Sequence, residues 1–135
     1  MADVRAGVGE ALAGIGLRVY SESVPEKVSV PAVVIGEGDI RYGDDFDGDD
    51  TIEFGVLLLV ARADSRSGQA LLGEYRQRHG SLSIPSALEA DPQLAFQGVD
   101  TVDSVRVTGS SAPQTVEIAG VSYLATEFSV EVLVA

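Results

Sequence analysis

The sequence predicts an α+β fold in which a mainly antiparallel β-sheet carries helices on one face. Segments that alternate apolar and polar residues are joined by short turns, which is typical of antiparallel strands. Two other stretches, 3–15 and 63–80, place apolar residues every three or four positions, as amphipathic helices do. The chain has 135 residues, so we expect a single domain over 1–135.

The first half of the chain is predicted to contain a helix, a short strand and a long hairpin. Val4, Val8 and Leu12 recur at helical spacing within 3–15. Further strands are predicted at 17–20, 31–42 and 51–62, the second with a bulge at Gly36 or Gly38. The last two flank an acidic turn, and together they form the hairpin.

The second half is predicted to contain two helices, one strand and a second hairpin. The main helix covers 63–80, and a short helix with Pro85 in its first turn follows within 84–92. A strand covers 102–108, and the strands 114–118 and 121–135 form the hairpin. In the last strand the side chains predicted to share one face are Leu124, Thr126, Phe128, Val130, Val132 and Val134, and those on the other are Glu127, Ser129 and Glu131.

Composition excludes several classes of function. The net charge is −12 and the pI is about 4.2, so the chain lacks the basic surface that binds a phosphate backbone tightly. There is no cysteine, which excludes disulfides and thiolate metal sites. The N-terminus lacks the pattern of a signal peptide, and the longest apolar run is too short to span a bilayer. We therefore expect a protein of the cytoplasm with no membrane partner.

The residues needed for catalysis are also scarce. The one histidine, His79, lies at a predicted helix end beside arginines, where a positive charge favours the helix dipole. No nucleophile elbow, phosphate-binding loop or dinucleotide fingerprint is present. We expect no enzymatic activity, no catalytic residue, no resident metal and no cofactor.

The most distinctive stretch is the acidic turn YGDDFDGDDT, residues 42–51. Its five aspartates are Asp44, Asp45, Asp47, Asp49 and Asp50. An EF-hand loop that began at Asp45 would place Asp50 where a glycine is needed and Val56 where a bidentate glutamate is needed. Three hypotheses remain: a solvated hairpin tip, a weak Ca²⁺ site, and an acidic loop facing a passing polyanion.

A second candidate surface lies on the central strand 51–62. Its outer face begins with Glu53 and becomes apolar at Leu57 and Leu59. Together with Leu133, these side chains either pack under the short helix or form a contact surface for a partner.

Taken along its length, the sequence resembles the tail terminator proteins of long-tailed bacteriophages, particularly those that infect actinobacteria. The resemblance covers nearly the whole chain. The segments that carry it are GLRVY, VPAVVIGEGDIRY, the acidic turn, TIEFGVLLLVARADSRSGQALLGEY, IPSALEADPQL, VDSVRVTG and GVSYLATEFSVEVLVA.

The resemblance implies an α+β fold and a structural role in the virion, with no catalytic residue and no cofactor. It implies a ring, typically of six copies, at the head-proximal end of the tail, assembled in the host cytoplasm. The ring would end growth of the tail tube, and its partners would be the tail tube protein and the head-completion (stopper) protein. A different connector, stopper or tail-completion protein is the alternative within the same class.

This role suggests a purpose for the acidic turn. A tail conducts DNA, and carboxylates along its lumen would repel the phosphate backbone so that DNA passes without specific binding. We therefore expect the 42–51 turn to lie at the lumen or at the rim that faces the tube.

Overall fold

The fold is described by a computed structural model, which covers residues 2–20, 28–43, 50–63 and 66–134. Within these ranges the helices are α1 (Ala2–Ala13), α2 (Gly68–Arg76) and α3 (Ile84–Glu89). The strands are β1 (Arg18–Tyr20), β2 (Ala32–Ile35), β3 (Asp39–Arg41), β4 (Asp50–Arg62), β5 (Ser104–Ser110), β6 (Gln114–Ile118) and β7 (Val121–Val134). The α+β class expected from the sequence is confirmed.

In the described part of the chain, the strands form one sheet around two long central strands, β4 and β7. The order across the sheet is β1-β2-β4-β7-β5, with β3 also paired to β4 and β6 also paired to β7. Thus β2 and β3 share one side of β4, and β5 and β6 share the outer side of β7. All of these pairs are antiparallel except β1 with β2.

The three helices cover one face of the sheet and enclose the main core. Even-numbered residues of β4 and β7 point to this face, because side chains alternate along a strand. From the helices, the core takes Val4, Val8 and Leu12 of α1, Leu72 and Tyr75 of α2, and Ile84 and Leu88 of α3. No helix in the described ranges is long and apolar enough to cross a membrane.

The opposite face of the sheet, which we call the far face, has its own small apolar cluster near the β6 end. Leu59, Tyr123 and Ala125 are buried there, beneath partly buried neighbours that include Val28 and Val30. The short helix α3 packs its buried residues into the main core on the other side. Of the two alternatives for Leu57 and Leu59, packing under the short helix is therefore wrong, because both side chains lie on the far face, away from the three helices.

Two elements differ most from the sequence prediction. The strand expected over 31–42 is divided, because the edge advances four residues (Ile35 to Asp39) where β4 advances three (Val56 to Glu53). Gly38 lies at this bulge, where a Cβ would stand 2.5 Å from the Glu53 carbonyl oxygen. The helix expected over 63–80 is shorter and covers only Gly68–Arg76.

Candidate functional site

The polar side chains of the far face are brought together by the pairing of strands that are distant in sequence. Asp39 of β3 pairs with Glu53 of β4, Glu53 pairs with Glu131 of β7, and Glu131 pairs with Arg106 of β5. These four side chains form a line across the sheet, which we call the charged row. Three of its members are acidic, and its only cation stands at the β5 end.

An open groove of about 580 Å³ lies along this part of the far face. Its acidic side chains are Glu37, Asp39, Glu53, Glu127 and Glu131. We call it the acidic groove. Thr108 and Ser129 are its polar neutral members, and Gly55 opens its floor.

The strands position these carboxylates close to one another. Glu53 and Glu131 lie directly opposite on neighbouring strands, an arrangement of like charges that costs stability. The guanidinium of Arg41 hydrogen-bonds the Glu53 carboxylate and offsets part of this repulsion. Glu127 lies across Gly55, where an added Cβ would stand 3.0 Å from the Glu127 Cδ.

The acidic groove can act on other molecules through its charge. Among the residues that the structure describes, no group of three or more acidic or histidine side chains is arranged to hold a metal ion. A wall of exposed carboxylates repels polyanions and attracts cationic side chains, and salt screens both effects. The groove is therefore suited to repel phosphate and other polyanions.

Only one of the five predicted aspartates falls within the described residues. Asp50 begins β4 opposite Val134, and its Oδ1 accepts a hydrogen bond from the Gly43 backbone N–H at 3.1 Å. Asp44, Asp45, Asp47 and Asp49 lie outside the described residues, so both the lumen role and the weak Ca²⁺ site stay predictions. Asp50 begins the strand that carries Glu53 into the acidic groove.

The three predicted contact leucines lie on the far face in different surroundings. Leu59 is fully enclosed within the single chain, with 0% exposure. Leu57 and Leu133 are partly exposed, at positions opposite Glu127 and Thr51 respectively. A partner could touch Leu57 and Leu133 directly, and the contact role of all three stays a prediction.

The arginines near His79 are engaged with β5 and α3. Arg76 donates from Nε to the Ser110 hydroxyl at 3.0 Å, and Arg78 pairs with Glu89 at 3.1 Å. His79 itself is exposed beyond the end of α2.

None of the five acidic members of the groove was predicted as a site residue: Glu37, Asp39, Glu53, Glu127 and Glu131. The alternation of the last strand did place Glu127 and Glu131 together on its polar face. The signal for the groove as a whole is absent from local sequence, because Glu53 and Glu131 are 78 positions apart (131 − 53) and meet only through strand register.

Comparison with known proteins supplies a likeness in fold. No protein-family model and no curated protein matches this chain. The chain does resemble a chain of the solved structure "Virion of native gene transfer agent (GTA) particle", with 17% sequence identity and a TM-score of 0.50. The likeness covers 96% of this chain and 93% of that chain. What the two share is the fold. At this identity the likeness extends to no residue of the acidic groove.

Proposed function

We propose that this protein is a structural component of a phage-like virion and acts as its tail terminator. The observation that carries the proposal is the shared fold with a chain of a gene transfer agent virion, which extends over nearly the full length of both chains. The resemblance of the sequence to tail terminators supports the same class independently. In this role the protein is not an enzyme.

The terminator would form a ring of six copies on the last ring of the tail tube. One side of the ring would contact the tail tube protein and stop its elongation, and the other would receive the head-completion protein. Leu57 and Leu133 are candidate contact residues for these surfaces. A connector or stopper of the same virion class is the alternative, and partner binding distinguishes the two.

The charges of the far face support a role for this face as the lining of a passage for DNA. The acidic groove presents five carboxylates on a chain whose net charge is already −12. If the far face lines the lumen, these groups repel the phosphate backbone along the passage. The 42–51 turn would extend this acidic lining, since Asp50 begins the strand that carries Glu53.

Native mass spectrometry tests the assembly. The protein is measured alone and after mixing with the assembled tail tube protein of its own virion. We expect a six-fold species in at least one sample, together with capped tubes that no longer elongate. A monomer in both samples with no binding to tube ends would contradict the proposal. Binding to the head-completion protein without binding to the tube would favour the connector alternative.

The lumen is tested by reversing charge in the groove. Glu127→Lys combined with Glu131→Lys would create a positive lining, and we expect assembled rings of this variant to retain duplex DNA at low salt. Glu74→Lys combined with Glu117→Lys makes the same change in net charge at exposed positions outside the groove and serves as the control. Equal DNA retention by both variants would exclude a lumen role for the far face.

A further inference from the structure

Strand β3 is an exposed edge with unusual apolar content. Its three residues, Asp39–Arg41, are all exposed, and Ile40 is 47% exposed. Tyr42, directly after it, is 75% exposed. In the described part of the chain β3 pairs with β4 alone, so its outer side is open. Open edges of this kind accept a further strand unless something blocks them.

The backbone of Ile40 points outward from this edge. The Gly36 N–H donates to the Gly55 oxygen at 2.9 Å, so Gly55 and alternate residues of β4 direct their backbone groups to this side. Glu53 is one of these residues and lies opposite Asp39, so the alternation of antiparallel pairs makes these two the hydrogen-bonded pair. Ile40 is the next residue of β3, so its N–H and C=O face away from the sheet.

The opposite edge of the sheet offers a matching pair of groups at Val105. The Val107 N–H donates to the Glu89 carboxylate at 3.2 Å, and the Val107 oxygen accepts from Arg78. Val107 therefore directs its backbone away from β7, and Val105, two residues earlier on β5, does the same. The backbone groups of Val107 are already bonded to the side chains of Glu89 and Arg78. The backbone groups of Val105 have no such partner in the described ranges.

The two edges also match in their register across the sheet, in strand direction and in charge. Ile40 and Val105 lie in one line across the sheet, through Ile52 and Val132. Successive antiparallel pairs make β3 run opposite to β5. The adjacent charged row ends in Asp39 at one edge and Arg106 at the other. Both are exposed, and neither forms an ion pair within the described residues.

We propose that β3 of one copy adds to β5 of a second copy, head to tail. Ile40 and the partner copy's β5 at Val105 would exchange two backbone hydrogen bonds. Asp39 would then lie beside the arginine at position 106 of that copy, and the exposed Ile40 would be covered. This inference rests on the proposed ring and names its subunit contact. Head-to-tail contacts between opposite edges generate closed rings when the rotation allows closure.

The structure also limits where the two strands can pair. A shift by two residues would bring Ile40 opposite Val107, whose backbone groups are held by Glu89 and Arg78. It would also place Arg41 beside Arg106, a repulsive pair. Beyond β3, strand β1 forms the edge of the sheet. The incoming β5 must therefore separate from this edge near the bulge in β5 that follows Val107. The contact is therefore confined to β3 and the first residues of β5.

Disulfide trapping tests this contact, because the natural chain has no cysteine. The variants Asp39→Cys and Arg106→Cys are purified separately, mixed and oxidised. In the proposed register these positions form a non-hydrogen-bonded pair with Cα atoms about 4.5 Å apart, within disulfide reach. We expect a crosslinked dimer in the mixture at several times the yield of either variant alone. Far-ultraviolet circular dichroism confirms that each variant is folded.

The matched control replaces Arg106→Cys with Thr108→Cys. Thr108 is exposed in the same groove, but it would be diagonal to position 39 at about 7–8 Å, beyond easy bridging. Equal crosslinking with Thr108→Cys and with Arg106→Cys would overturn the proposed contact, as would no crosslinking with either. The proposed function is judged separately, by native mass spectrometry of the wild-type protein. Rings without the 39–106 crosslink would refute only the contact, and the crosslink without rings would refute only the terminator role.

Discussion

At the scale of single residues, Gly7 decides how closely α1 approaches the segment after α3. A Cβ at this position would stand 2.2 Å from the Leu94 backbone oxygen, closer than two such atoms can lie. Gly73 of α2 is exposed, and a Cβ there would meet no atom within 4 Å. The two glycines therefore have the same helical setting and opposite steric surroundings.

We expect Gly7→Ala to lower the free energy of unfolding by about 2 kcal/mol, because the helix must move away from its contact. Gly73→Ala should raise it by about 0.5 kcal/mol, since alanine loses less backbone entropy on folding. Urea unfolding followed by circular dichroism measures both. A stabilising effect of Gly7→Ala would show that the α1 contact is looser than the structure indicates.

Tyr75 is a residue whose protonation is linked to stability. Burial of the ring raises the pKa of the Tyr75 hydroxyl above its ordinary value of 10.0, and the nearby Glu74 carboxylate raises it further. The folded state therefore keeps a proton that the unfolded state loses near pH 10.0. The contribution of this group is complete below pH 10.0 and is lost as the pH rises through the higher folded pKa.

We expect Tyr75→Phe to make the free energy of unfolding fall less steeply above pH 10.0 than it does in the wild type. Tyr42→Phe is the control, because it removes the same hydroxyl from a side chain that is 75% exposed. Thermal or urea unfolding across the alkaline range gives the slopes. Identical slopes for all three proteins would remove Tyr75 from the linkage.

At the scale of elements, the outer side of β7 is shared by two strands, and side chains close the gap between them. β5 ends at Ser110 and β6 begins at Gln114. Between them, Thr126 donates from its hydroxyl to the Ser111 oxygen at 2.6 Å, and the Ser111 hydroxyl accepts from the Glu127 N–H at 3.0 Å. Thr126 is completely buried. These side-chain hydrogen bonds replace the backbone hydrogen bonds that are missing between β5 and β6, so buried backbone groups keep a partner.

Thr126→Val keeps the shape of the side chain and removes this donor. We expect a loss of about 0.5–1.5 kcal/mol in the free energy of unfolding, because the hydrogen bond from Thr126 to the Ser111 oxygen is removed. Thr115→Val, at an exposed site on β6, should change stability by less than about 0.5 kcal/mol. Urea unfolding compares them. Equal effects from both substitutions would mean that the Thr126 bond contributes nothing net.

At the scale of the whole molecule, net charge opposes the proposed assembly. Each copy carries −12, so copies brought into a ring repel one another. Salt screens this repulsion over about 10 Å at 0.1 M. The proposed contact contains one attractive ion pair at an exposed edge, between Asp39 and the arginine at position 106 of the other copy. Such a pair contributes about 0–1 kcal/mol. The summed repulsion should therefore outweigh the pair.

We expect the fraction of assembled protein to increase as NaCl is raised from low concentration to about 0.3 M, where the screening length is shorter than at 0.1 M. Sedimentation velocity at fixed protein concentration measures this fraction. A control series in sucrose, which adds no ions, should lack the same dependence. Weaker assembly at higher salt would indicate that ion pairs between copies dominate, with Arg41, Arg62 and Arg106 as the candidate cations.

Most elements could be predicted because their signals are local. The alternation of 114–118 matches β6 residue for residue, and the strand expected over 51–62 differs from β4 by one residue. The helix over 63–80 was overestimated, since helical spacing of apolar residues does not mark where the first and last turns end. The division of 31–42 was located at its glycines, but its extent depends on how β4 passes beneath Gly38.

By itself, the sequence determined the fold class, the order of most elements, the two faces of the last strand and the strong negative charge. These follow from spacing and composition, which act over a few residues. The tertiary structure alone decided that Glu37, Glu53, Glu127 and Glu131 line one groove, that Leu59 is enclosed by residues of the far face, and that Asp39 and Arg106 end the same row. Each of these depends on strand register between distant segments, and register is set by packing across the sheet rather than by any local pattern.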